Sequence, residues 1–133
     1  MPGMEAASSY TELRRQEAAS PKRLYAIDAV TTPASPVTDI DVLSDLAAEA
    51  VRSGGGHVLD TSHVVFPNGA ITLVLILAES HLSIHTWPEE SLIAIDLFSC
   101  GAIDGERVLA ELTGALHLAG ASVAELDRGL RRP

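Results

Sequence analysis

The chain has 133 residues, 47% of them hydrophobic, with a formal net charge of −9 and one cysteine. That length and apolar content fit one small globular domain and not a disordered chain. A lone Cys100 excludes an internal disulfide and any multi-cysteine metal site, and the acidic balance argues against nucleic acid or an anionic membrane as main partner. The charge mildly favours a cationic substrate. No apolar run has the length of a membrane span, and the longest, residues 70–78, is strand-sized and contains Thr72. The first 21 residues lack the apolar centre of a signal peptide, which points to a cytoplasmic protein.

Residues 1–21 are small and polar and end at Pro21. They read as a flexible N-terminal extension, with one helical turn around residues 10–17, ahead of a single domain over 22–133. Residues 24–30 alternate as a strand, and residues 31–37 carry two prolines and form a loop. Thr38 followed by Asp41 resembles a capping box, and Ile40, Leu43, Leu46, Ala47, Ala50 and Val51 form an apolar stripe. That predicts a helix stopped by Gly54, Gly55 and Gly56. Residues 57–66 lead to Pro67-Asn68-Gly69, a strong turn signal.

Residues 71–77 are rich in branched apolar side chains and read as a buried central strand. Alternation follows, with Leu82 and Ile84 on one side and His81, Ser83 and His85 on the other. Pro88-Glu89-Glu90-Ser91 turns the chain, with Trp87 as an anchor of the hairpin. Residues 92–98 return as a strand, with Cys100-Gly101 just beyond. Asp104 caps a second helix through about residue 119, with Val108, Leu109, Leu112 and Leu116 inward and Gly120 at its end. Residues 122–126 are a last strand. This order predicts an α+β fold, an antiparallel sheet with two helices on one face. The other face of such a sheet needs cover, which in so short a chain predicts a partner subunit.

The densest polar cluster runs from Glu79 to Glu89, with two histidines, two serines and two glutamates within its eleven residues. A polar edge strand with a solvated face is the plainest explanation. Three chemical readings compete with it. His81 and His85 have helical metal-ligand spacing, but on a strand they stand about 13 Å apart, which disfavours zinc. Ser80 or Ser83 could serve as a hydrolase nucleophile with His85 as base, yet the Gly-x-Ser-x-Gly elbow is absent. In the third reading, Ser80 attacks the carbonyl of Glu79 in its own backbone.

Glu79-Ser80-His81-Leu82-Ser83-Ile84-His85-Thr86-Trp87-Pro88-Glu89, followed by Ile95-Asp96-Leu97-Phe98-Ser99-Cys100-Gly101, resembles the bacterial and archaeal S-adenosylmethionine decarboxylases. The likeness runs without a gap over residues 77–101, and more weakly over about 22–127. It implies a two-layer α/β sandwich, a homodimer of precursors, and self-cleavage between Glu79 and Ser80. The Ser80 hydroxyl would convert the Glu79–Ser80 amide to an ester. Elimination and hydrolysis would then leave a pyruvoyl group at the new N-terminus, with no metal needed. The same resemblance makes His85 the proton acceptor in processing and gives Thr72 the place of a serine that positions the ester. It makes Cys100 the proton donor in decarboxylation, in which the substrate amine forms a Schiff base with the pyruvoyl carbonyl. Phe66 would stack on adenine, Glu89 would hold the ribose hydroxyls, and Leu77 and Glu79 would line the adenine pocket. His57, His63 and His117 match no family role and read as surface or core residues.

The N-terminal half departs from the family pattern. Its first strand opens with Ser20-Pro21-Lys22-Arg23-Leu24-Tyr25 where the family has a Leu-Gly-x-His type of segment. The turn after Phe66 is shifted, and Glu90-Ser91-Leu92 replaces a Tyr-Gly-Tyr type of tip. These differences bear on the substrate. S-adenosylmethionine is the first expectation, arginine or ornithine the alternative, and a non-catalytic regulatory homologue the alternative from another class.

Overall fold

The computed structural model describes residues 20–101 and 103–130. The expected N-terminal extension thus lies almost wholly outside the described residues. The elements are β1 (Lys22–Val30), α1 (Ile40–Ser53), β2 (Val58–Val65), β3 (Ile71–Leu77), β4 (Ser80–Trp87), β5 (Leu92–Cys100), α2 (Gly105–Ala115) and β6 (Ala119–Arg128). A single 3-10 turn, Pro88–Glu90, joins β4 to β5. The six strands form one sheet in the order β2-β3-β4-β5-β1-β6, every neighbouring pair antiparallel.

Alternation decides which face each side chain takes. Ile27, Leu73, Leu75, Leu82, Ile84, Ile95 and Leu97 point to one face and are fully or almost fully buried. They join Leu43, Ala47 and Val51 of α1 and Val108, Leu112 and Leu116, from α2 and its end, in one apolar core. Each large aliphatic side chain so buried contributes about 1.5–3 kcal/mol. The two helices lie against each other over this face. Gly54 allows their close approach, because a Cβ there would stand 2.5 Å from Val108 Cγ2 and 2.8 Å from the Asp104 carbonyl oxygen.

Among the described residues no helix covers the opposite face. Across it the register lines up Ile76, His81, Phe98, Leu24 and Leu126, one from each of five neighbouring strands. Ile76 and Leu126 are exposed. The His81 ring lies 5.9 Å from the Phe98 ring, and the Arg128 guanidinium sits 5.6 Å from the Phe98 centroid. A largely apolar row open to water is the feature for which the sequence anticipates a partner.

Several boundaries differ from the sequence expectation. The cap of α1 is Asp39, not Thr38: its Oδ1 accepts from the amides of Asp41 (3.0 Å) and Val42 (3.3 Å). Such a cap contributes about 1 kcal/mol. Asp104 caps α2 as expected, accepting from the Arg107 amide at 3.1 Å. That helix stops at Ala115, four residues short of expectation, because His117 takes φ +49 and turns the chain into β6. Leu116 mimics a further helical turn in the sequence because it is fully buried, but it is the C-cap. Strand β5 continues through Cys100, so the cysteine is part of the sheet and not beyond it.

Candidate functional site

Strands β3 and β4 form a tight hairpin closed by the Leu77–Ser80 pair, which leaves Ala78 and Glu79 as a two-residue turn. Such turns favour positive φ at their central residues, which Asn-Gly supplies and Ala-Glu does not. Among the described non-glycine residues, positive φ occurs at Ser80 (+150), Ser91 (+49) and His117 (+49). The distortion therefore falls on Ser80, immediately after the Glu79–Ser80 peptide bond. A backbone conformation of this kind costs a residue with a side chain about 1–3 kcal/mol.

Beside this turn the Ser80 Oγ lies 3.9 Å from the Cys100 Sγ, and the thiol is 2% exposed. Leu77 is buried at the end of β3. Glu79 is fully buried, and both of its carboxylate oxygens meet His57: Oε1 accepts from the His57 amide at 2.9 Å, and Oε2 lies 2.6 Å from Nδ1. His57, read as a surface or core residue, has a partly exposed side chain that closes on this turn. The residue immediately precedes the edge strand β2, and the β2–β3 register places it beside the turn. A lone histidine after three glycines carries no such signal in sequence.

The other candidate residues gather at the far end of the same hairpin. Thr72 pairs with His85 across β3 and β4, and its Oγ1 lies 3.2 Å from His85 Nδ1. Phe66, Thr72, His85 and Glu89, with Trp87 and Asn68, line an open groove of about 570 Å³. Phe66 in this lining is 46% exposed. The Pro67-Asn68-Gly69 turn forms as expected, with the Phe66 amide donating to the Ala70 carbonyl at 2.8 Å. Asn68 Nδ2 in turn donates to Glu89 Oε2 at 3.3 Å, a contact the sequence did not suggest.

One chain therefore holds two half-sites. Ser80 and Cys100 mark one, and His85, Thr72, Phe66 and Glu89 mark the other. Ser80 and His85 stand five positions apart, about 16 Å along β4. At that separation the His85 side chain does not reach Ser80 of its own chain. His81 and His85 lie on the open face four residues apart, and among the described residues no three His, Cys, Asp or Glu gather as metal ligands. No helix among the described residues is long and apolar enough to cross a membrane.

A family model described as S-adenosylmethionine decarboxylase matches residues 23–129. An S-adenosylmethionine decarboxylase proenzyme of Pseudomonas aeruginosa is 38% identical over 97 residues, covering 69% of this chain and 58% of that protein. The chain thus spans little more than half the length of these Pseudomonas relatives. The proenzyme of Pyrococcus abyssi is 30% identical over 107 residues, covering 80% of this chain and 77% of that protein. The crystal structure of the adenosylmethionine decarboxylase from Aquifex aeolicus shares the fold, with a TM-score of 0.75 at 24% identity over 85% of this chain and 94% of that one. With the family model running from β1 through β6 and a relative 30% identical over 80% of this chain, the chain belongs to the S-adenosylmethionine decarboxylase family.

Proposed function

We propose that this protein is a self-processing, pyruvoyl-dependent S-adenosylmethionine decarboxylase that works as a homodimer. The observation that carries the proposal is the strained Ser80 behind a tight turn, its hydroxyl 3.9 Å from a buried thiol. Relatives described as proenzymes support it.

In this reading Ser80 Oγ adds to the Glu79 carbonyl carbon, and the Glu79–Ser80 amide becomes an ester with a free Ser80 amine. A base then takes the Ser80 Cα proton, the Cα–Cβ double bond forms, and the Glu79 carboxylate leaves with the former Oγ. Water replaces the nitrogen, ammonia departs, and residue 80 remains as a keto acyl group. Strain favours this path because breaking the peptide bond releases the distorted backbone. His85 is the base, held by Thr72 Oγ1 at 3.2 Å. An imidazole ring nitrogen that can take up a proton and release it suits this task.

The two half-sites meet if a second copy packs its open face on the first with β4 strands opposed. The His85 end of one chain then covers the Ser80 end of the other. That arrangement also buries the apolar row through Ile76, Phe98 and Leu126.

The residues present fit a pyruvoyl group, since Ser80 supplies its carbons and Cys100 stands next to that position. When formed, the group supplies an electron-withdrawing carbonyl for the substrate's amine. Cys100 returns a proton to the substrate α-carbon after CO₂ leaves. Phe66 stacks on the adenine, and Glu89, oriented by Asn68, accepts from the ribose hydroxyls. Leu77 and Glu79 are buried within their own chain, Glu79 against His57, so their side chains are not offered to the adenine as the resemblance implied. A groove of about 570 Å³ is of the size that takes such a ligand. CO₂ release from S-adenosylmethionine, arginine, ornithine and lysine, measured in parallel, tests the substrate. Release from S-adenosylmethionine is expected, and release from an amino acid instead would overturn that part.

A further inference from the structure

His57 grips both residues of the turn that precedes Ser80. Its amide donates to Glu79 Oε1 at 2.9 Å, its Nδ1 lies 2.6 Å from Glu79 Oε2, and its carbonyl accepts from the Ala78 amide at 2.9 Å. Toward a carboxylate, Nδ1 acts as the donor. Glu79 has no exposed surface, so leaving this site would break all the contacts to its carboxylate at once. A buried carboxylate stripped of such partners is strongly disfavoured.

This grip matters because the turn is under strain. Ala78 and Glu79 lack the positive φ that a two-residue turn favours, and Ser80 carries φ +150 instead. A free turn would relax by rotating the Glu79–Ser80 peptide plane, and that rotation would carry the Glu79 carbonyl away from Ser80 Oγ. With the Glu79 side chain and the Ala78 amide both fixed on His57, the rotation is blocked from its N-terminal side.

We propose that His57 is a positioning residue for self-cleavage, holding Glu79 so that its carbonyl carbon stays within reach of the Ser80 hydroxyl. The proposal rests on the reading of Glu79–Ser80 as the processing bond. The ester forms and breaks as already described, and His57 neither gives nor takes a proton in it.

The test uses the full chain, pulse-labelled during translation and chased, with loss of the 14.0 kDa precursor followed on gels. His57→Ala should slow cutting roughly ten- to hundredfold, the worth of one hydrogen bond to a charged group. His57→Asn puts an amide nitrogen where Nδ1 stood and should recover much of the rate. His57→Gln puts that nitrogen one bond farther away and should not. If the wild type cuts and His57→Ala cuts as fast, or if Asn and Gln behave alike, His57 does not position the bond. A wild type that never cuts would instead overturn the reading of the processing bond, and this proposal with it.

Discussion

Co-expressing Ser80→Ala with His85→Ala should restore cutting that neither variant achieves alone. The reasoning is geometric. Ser80 pairs with Leu77 at one end of the hairpin and His85 with Thr72 at the other. Five residues of strand put their Cα atoms about 16 Å apart, whereas proton transfer needs heavy atoms within about 3 Å. A histidine side chain cannot span the difference, so the base must come from a second copy. In a mixed dimer, the His85→Ala chain keeps its Ser80 and meets the intact His85 of the Ser80→Ala chain. Random pairing at equal expression makes about half of the dimers mixed, so about half of the His85→Ala chains should be cut. The Ser80→Ala chains should all stay whole. Size tags of different mass on the two variants let one gel read both. No cutting in the mixture, with dimers present by light scattering, would refute the shared site. Efficient cutting of His85→Ala expressed alone would refute the role of His85.

The strain at Ser80 can be weighed directly. Ser80→Gly and Ser80→Ala should both stay uncut, but glycine accepts φ +150 without penalty, so the Gly precursor should be about 1 kcal/mol more stable in urea. Equal midpoints, or a more stable Ala variant, would remove strain from the account. Cys100→Ala should still cut and then release CO₂ at least roughly a hundredfold more slowly, as loss of a general acid predicts; full turnover in that variant would end its assignment as proton donor.

The sheet was legible where residue pattern and environment agree. Residues 71–77 form an interior strand, as expected, but one buried on a single face, with Ile76 exposed on the other, and the Pro67-Asn68-Gly69 turn lies where its chemistry requires. The end of α2 was not legible, because Leu116 continues the helical apolar spacing while filling the same core from a cap position. The Asp39 cap was hidden by a neighbouring Thr38 with the right spacing to mimic one. His57 was hidden for another reason. Its importance comes from register, and register between strands 22 residues apart is a property of the folded sheet. The division of the site was readable in principle. The strand spacing that separates His81 from His85, and so disfavours zinc, also separates His85 from Ser80.

The most direct measurement is the intact mass of the purified protein under denaturing conditions. The account predicts two chains in place of one of 14.0 kDa, split after Glu79, with the C-terminal piece lighter by one ammonia than a piece beginning with serine and reactive toward carbonyl reagents. A single unbroken chain, or a C-terminal piece that starts with an ordinary serine amine, would contradict it.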